Sequence, residues 1–312
     1  MDAAAEPRED RGRPAAAKVA AAGTGVPVTR VARRGADGQA SGLLLAACLA
    51  PAAAAFGAFW LIPMAWLAVL PAGKGWQTYF AVLTTPRYLE SLLNTLFLSL
   101  TVTLATLVIG AAVGLFLART RFLGRRLLLS LLTLPLSFPG VIVGFFVILL
   151  GGRQGLVPWL VEQLGGEGFA FAYGLLGLFL AYLYFSLPRA IATYTAAAES
   201  LDMQLEEAAR SLGASRLRIA VDVWAPALAP TTVACGAIVF ATAMGAFGTA
   251  FTLASKIDVL PITIYGEFTN YANFALAASL SIALGLMTWI VLFLARRLTG
   301  SSTVAGATGG GV

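Results

Sequence analysis

Long apolar runs dominate the pattern along this chain. Six segments hold no Asp, Glu, Lys or Arg: 38–73, 91–118, 127–152, 168–188, 223–255 and 268–295. Each has about the 20 residues a helix needs to cross roughly 30 Å of hydrocarbon. None alternates apolar with polar positions as a barrel strand does. At this length only helices satisfy their own backbone in lipid, so the pattern predicts an all-α integral membrane protein with six transmembrane helices. Segment 168–188 is the shortest, and its helix is expected to run on past Arg189 towards Thr195. Pro135 and Pro139 predict a kink in the third helix.

The polar connections set the orientation. Of the 21 Lys and Arg residues, 17 fall on the side that holds both termini and the second and fourth connections, and 4 fall on the other. That imbalance puts both termini in the cytoplasm. Residues 1–41 are rich in Ala, Gly, Pro and Arg and cannot bury a core, so they read as a disordered cytoplasmic tail. Residues 42–298 form the membrane domain, and 299–312 read as a flexible tail. The first apolar run starts at Leu43, later than a secretory signal would, and so reads as an anchor helix. Leu45-Ala46-Ala47-Cys48 matches a lipoprotein cleavage box, but too short an apolar stretch precedes the cysteine. Between the third and fourth spans, Pro158-Trp159-Leu160-Val161 predicts a short helix at the external interface, with Trp159 at headgroup depth.

Composition narrows the chemistry. The chain is 59% hydrophobic and 12% charged, with a net charge of +6 confined to loops, a pattern of membrane orientation and not of nucleic-acid binding. It has no histidine and two cysteines, Cys48 and Cys235, both in apolar segments, so no metal centre, disulfide framework or cofactor is expected. No charged side chain lies inside any predicted span, which disfavours proton coupling, voltage sensing and intramembrane catalysis. A phosphate-binding loop needs a lysine followed by Ser or Thr. Lys18, Lys74 and Lys256 are followed by Val19, Gly75 and Ile257, so any nucleotide hydrolysis belongs to another chain.

One polar island stands out, residues 199–226. Ala196 to Leu212 is rich in helix formers, with Leu201, Leu205, Ala209 and Leu212 as an apolar stripe. Gly213 is a natural helix stop, and Ser215 can cap a second short helix through Arg216 to Ile219. Pro226 and Pro230 mark entry to the fifth membrane helix. The island reads helix, sharp turn, helix. By itself it is a solvated surface helix or a docking site whose alanines allow close approach and whose leucines fill a groove.

Glu207-Ala208-Ala209, then Gly213-Ala214 and Val223-Trp224-Ala225-Pro226, resemble the EAA loop of binding-protein-dependent ABC importer permeases. Ala225 stands where a leucine is usual, and Val223 where isoleucine is common. Asn94-Thr95-Leu96, Ala118-Arg119, Gly124-Arg125-Arg126, Leu134-Pro135 and Pro139 extend the resemblance over 90–297. Gly152-Arg153-Gln154-Gly155-Leu156 points to the branch handling polyamines, thiamine, ferric iron, sulfate or phosphonates. The resemblance implies a type I, MetI-like fold in a bacterial cytoplasmic (inner) membrane and no enzymatic activity of its own. It implies four kinds of partner: two ATP-binding subunits, a second permease subunit (a different, homologous chain in that branch), an exported solute-binding protein and the bilayer. Leu205, Glu207, Ala208, Ala209, Leu212, Gly213, Ala214 and Pro226 would then couple to the ATPase. ATP-driven motion of the loop would turn the subunits between inward-open and outward-open states. The third and fifth helices, rich in glycine and small polar residues, are the expected solute pathway, through Phe138, Gly140, Thr242, Met244, Gly245 and Phe247. The alternative is a passive channel or secondary carrier.

Overall fold

The computed structural model describes residues 47–255 and 257–299, and the expected tails, apart from Thr299, lie outside the described residues, as does Lys256. The chain divides after Ala58. Before that point the described residues are helical to Phe56, and Cys48 is exposed. Six helical stretches among the described residues are long and apolar enough to cross a membrane, the first being α1, Ala47–Lys74.

The helix α2, Pro86–Arg119, has 34 residues, and the proline sits in its first turn where its missing N–H costs nothing. At about 51 Å it overshoots the hydrocarbon core, so it tilts or projects. Its largest partner is α6, Leu175–Glu199. Two glycines bring the backbones together. A Cβ on Gly110 would lie 2.9 Å from the Ala190 Cβ, and one on Gly114 would lie 2.6 Å from the Tyr194 Cβ. Membrane helices associate through such close approach, because lipid tails are as apolar as the helices themselves.

Hydroxyls supply the rest of the adhesion on the outer half of α2. Ser91 shares a 2.7 Å hydrogen bond with Thr263, Thr95 Oγ1 accepts from the Leu260 N–H at 2.8 Å, and Tyr88 Oη donates to Glu267 at 3.0 Å. Their partners start and line α10, Leu260–Thr269. These side chains recur every three or four positions, so one face of α2 is a polar ladder inside an apolar run.

The third predicted span is broken, not kinked. It consists of α3 (Arg125–Thr133), a tight turn (Leu134–Ser137), α4 (Gly140–Gly151) and the interfacial α5 (Leu156–Gln163). Phe138 and Pro139 between them are extended, with ψ of 132° and 147°. A proline disfavours the helical region for the residue before it, and Phe138 before Pro139 is extended, whereas Leu134 before Pro135 stays helical. Trp159 on α5 is exposed, as an interface anchor requires.

The loop 199–226 also differs in detail. α6 ends at Glu199, and α7 (Met203–Ser211) is a separate helix capped by Asp202, which accepts from the Gln204 N–H at 2.9 Å. Ser200 and Asp202 offer the backbone local partners that compete with helix continuation. Ser215 caps the next helix as expected. That helix is not short: it runs unbroken as α8, Arg216–Met244, through a π turn at Ala220–Trp224. The wider turn relieves the clash that Pro226 would cause. The fifth span then stops at Gly245, and α9 (Phe247–Leu253) follows. The last helix, α11, is Phe274–Thr299.

Gly114→Val is expected to force α2 from α6 and cost about 1–3 kcal/mol. Gly285, on α11, has open space around it and serves as a control as Gly285→Ala. Thermal unfolding in detergent should show a lowered midpoint for the first and little change for the second.

Candidate functional site

The polar island folds into a rigid turn. At the end of α7 the Gly213 N–H bonds the Arg210 carbonyl at 2.9 Å, and the Ala214 N–H bonds the Ala209 carbonyl at 3.1 Å. That double bond pattern needs a left-handed residue, and Gly213 has φ of 80°. Leu205, Glu207, Ala208 and Pro226 are exposed, and Leu212 is 88% exposed. Ala209, Leu212, Gly213 and Ala214 line a shallow hollow of about 270 Å³ on the loop. The expected stripe divides: Leu201 packs into the core beside Tyr194 and Trp224, while Leu205 and Leu212 stand out from it.

Sequence reading missed the residue that fixes this loop in place. Glu206, beside the motif's glutamate, is only 4% exposed. Its carboxylate pairs with Arg119 at the end of α2 (3.4 Å) and with Arg210 one turn on (2.5 Å). Arg125 makes a second tie, pairing with Glu199 and donating to the Leu117 carbonyl at 2.8 Å. Two adjacent glutamates gave no sign of which one faces inward. The fourth-residue spacing of Glu206 and Arg210 on one helix marks an ion pair but not the side that is buried.

The expected pathway residues are only partly brought together. Gly140, Thr242 and Gly245 line one cavity of about 400 Å³, with Tyr182, Ser186 and Thr249. It lies where both broken spans meet. A Cβ on Gly140 would be 3.0 Å from Thr249 Oγ1, and one on Gly248 would be 3.3 Å from the Val141 N. Tyr182 Oη donates to the Ala246 carbonyl at 2.8 Å and closes the break. Phe138 packs edge-on against Phe146, and Phe247 against Phe251 and Tyr265, outside that lining. Met244 is 0% exposed and lines no part of it.

A six-span helical passage with a rigid, partly apolar loop on its basic face is the make-up of a transport permease driven from outside itself. The chain belongs to the family of binding-protein-dependent transport system inner membrane components, whose model matches residues 110–301. It is 32% identical over 217 residues to the molybdenum transport system permease protein ModB of Escherichia coli (strain K12), covering 67% of this chain and 93% of that protein. It is 29% identical over 252 residues to the sulfate transport system permease protein CysT of the same organism, covering 77% of this chain and 90% of that one. A chain from the crystal structure of a bacterial alginate ABC transporter, in complex with an alginate pentasaccharide-bound periplasmic protein, superposes with a TM-score of 0.73. It does so at 20% identity over 84% of this chain and 97% of that chain, a likeness of fold. The protein is therefore a multi-pass permease subunit of an ABC importer. It works with ATP-binding subunits that carry the hydrolysis and with a solute-binding protein.

Glu206→Ala leaves Arg119 without its buried partner, and the expected cost is on the order of 3 kcal/mol. Glu207→Ala, at an exposed position, should change stability by no more than about 0.5 kcal/mol. Thermal melting of the two variants in detergent checks the contrast.

Proposed function

We propose that this permease passes a small tetrahedral oxyanion, of the molybdate or sulfate kind, and that the cavity between the broken third and fifth spans is its pathway. The observation that carries the reading is the lining of that cavity. It offers the hydroxyls of Ser186 and Thr249 as donors and includes no carboxylate, while Tyr182 and Thr242 donate to backbone carbonyls. The first turn of α4 opens at Gly140 on its wall, and the positive end of a helix dipole favours an anion over a polyamine or thiamine cation. The names of the two relatives, molybdenum and sulfate permeases, support the same class.

The loop 199–226 is the coupling site, with Leu205, Glu207, Ala208 and Leu212 as the surface presented to an ATP-binding subunit. Two such subunits need two loops, so the transporter contains a second permease subunit, a homologous chain or another copy of this one. Closure of the ATPases displaces the loops and swings the permeases between inward-open and outward-open states. The bacterial cytoplasmic membrane is the setting in which an exported binding protein faces the external loops.

Uptake of labelled molybdate or sulfate, in cells lacking their own permeases and supplied with the whole transporter, tests the solute class. Uptake of a cation with neither oxyanion transported would sink it. The coupling turn has a sharper test. Gly213→Asn tolerates the left-handed conformation, whereas Gly213→Val is strained there by about 1–2 kcal/mol. Uptake should survive the first change and be lost in the second, and equal uptake by both would remove the loop from its role.

A further inference from the structure

Arg189 ends the charge-free run 168–188, and the helix runs on past it as expected. It is followed by ten more residues of α6, which ends at Glu199. That puts it about 15 Å from the inner end of the helix. The neighbouring helix gives the same depth: Ala190 sits against Gly110, nine residues before the end of α2. Its side chain is exposed on this subunit, and among the described residues no carboxylate pairs with it. A charged group at this depth is costly against lipid and faces a protein interior or a water-filled route.

The structure supplies that route. Arg189, Thr193, Thr231, Ile238 and Arg296 line a second cavity, of about 430 Å³. Its lining lies further along the same two helices, towards their cytoplasmic ends. On α6 the lining passes from Tyr182 and Ser186 to Arg189 and Thr193, every three or four residues along one face. On α8 it passes from Gly245 and Thr242 to Ile238 and Thr231 in the same spacing. Arg296, in the last turn of α11, marks the cytoplasmic mouth.

We propose that Arg189 is the charge-selecting residue of the solute pathway. It holds the oxyanion in the inner cavity after it leaves the hydroxyl-lined one and before it reaches the cytoplasm. The inference rests on the oxyanion reading above. A guanidinium suits it, since it stays charged and offers paired donors to tetrahedral oxygens. A guanidinium with hydroxyl neighbours, and with Arg296 at the mouth, binds an anion yet lets it go, as a conducting site must.

The test uses the whole transporter, with its ATPase and binding protein, in a Cys48→Ala, Cys235→Ala background. Arg189→Gln should lower molybdate or sulfate uptake about tenfold or more, the worth of a charge-assisted hydrogen bond. Arg189→Lys should keep most of it. Arg189→Cys should be inactive and should regain uptake after modification with a cationic aminoethyl thiosulfonate, not with the neutral methyl reagent. A merely structural arginine would not respond to the sign of the added group. If the parent transporter moves either oxyanion and Arg189→Gln moves it equally well, or if the neutral reagent rescues as well as the cationic one, this proposal alone falls. If the parent moves neither oxyanion, both readings fall.

Discussion

The hydrogen bond from Tyr182 to the Ala246 carbonyl closes the place where the fold departs from simple membrane helices. Backbone in hydrocarbon has no water to turn to, so a broken helix survives only where protein or a wet cavity receives its free groups. Both breaks in this chain meet that condition together. Gly140 begins α4 against Thr249, and Gly248 lies against Val141 at the same crossing. Glycine at those points allows a contact that a side chain would prevent. The two interruptions thus share one cavity, and each supplies part of the other's surroundings.

Force applied at the coupling loop has a short way to reach that cavity. α8 begins at the Ser215 cap beside the Gly213 turn and ends at Met244, next to the break. It is 29 residues of continuous helix, about 43 Å. The same loop is tied to α2 through Glu206 and Arg119 and, at the end of α6, through Glu199 and Arg125. α2 and α6 are in turn locked by Gly110 and Gly114. Displacing the loop therefore carries α8, α2 and α6 together. α6 and α8 are the two walls shared by both cavities.

The spans and the form of the 199–226 loop were legible in the sequence because each rests on a local signal: apolar run length, and the Ser215 cap and Gly213 stop. What was not legible depended on neighbours. Pro135 and Pro139 read as a kink, but Phe138 before Pro139 is extended and the helix restarts only at Gly140. Gly245 read as a pathway glycine within the fifth helix, and it caps the end of α8. Glu206 could not be told from Glu207 until Arg119 arrived from another helix. Ser91 and Thr95 looked incidental in an apolar run, yet they carry the ladder to α10. Arg189 was counted with the fourth connection although the helix was expected to run past it, and α6 continues ten residues beyond it.

That last difference changes the electrostatics of the passage. With wholly neutral walls, an anion would cross on hydroxyl contacts alone, and selection by charge would rest with the binding protein. High affinity does belong there: micromolar binding is worth roughly 8 kcal/mol, more than the hydroxyls of a passage supply. A passage has the opposite requirement, because a solute held that tightly would not leave. A guanidinium part-way along, with Arg296 at the mouth of the same cavity, repels cations and gives an anion a shallow stop. Its place beyond the hydroxyl-lined cavity means that the anion meets the fixed charge only after passing the two breaks.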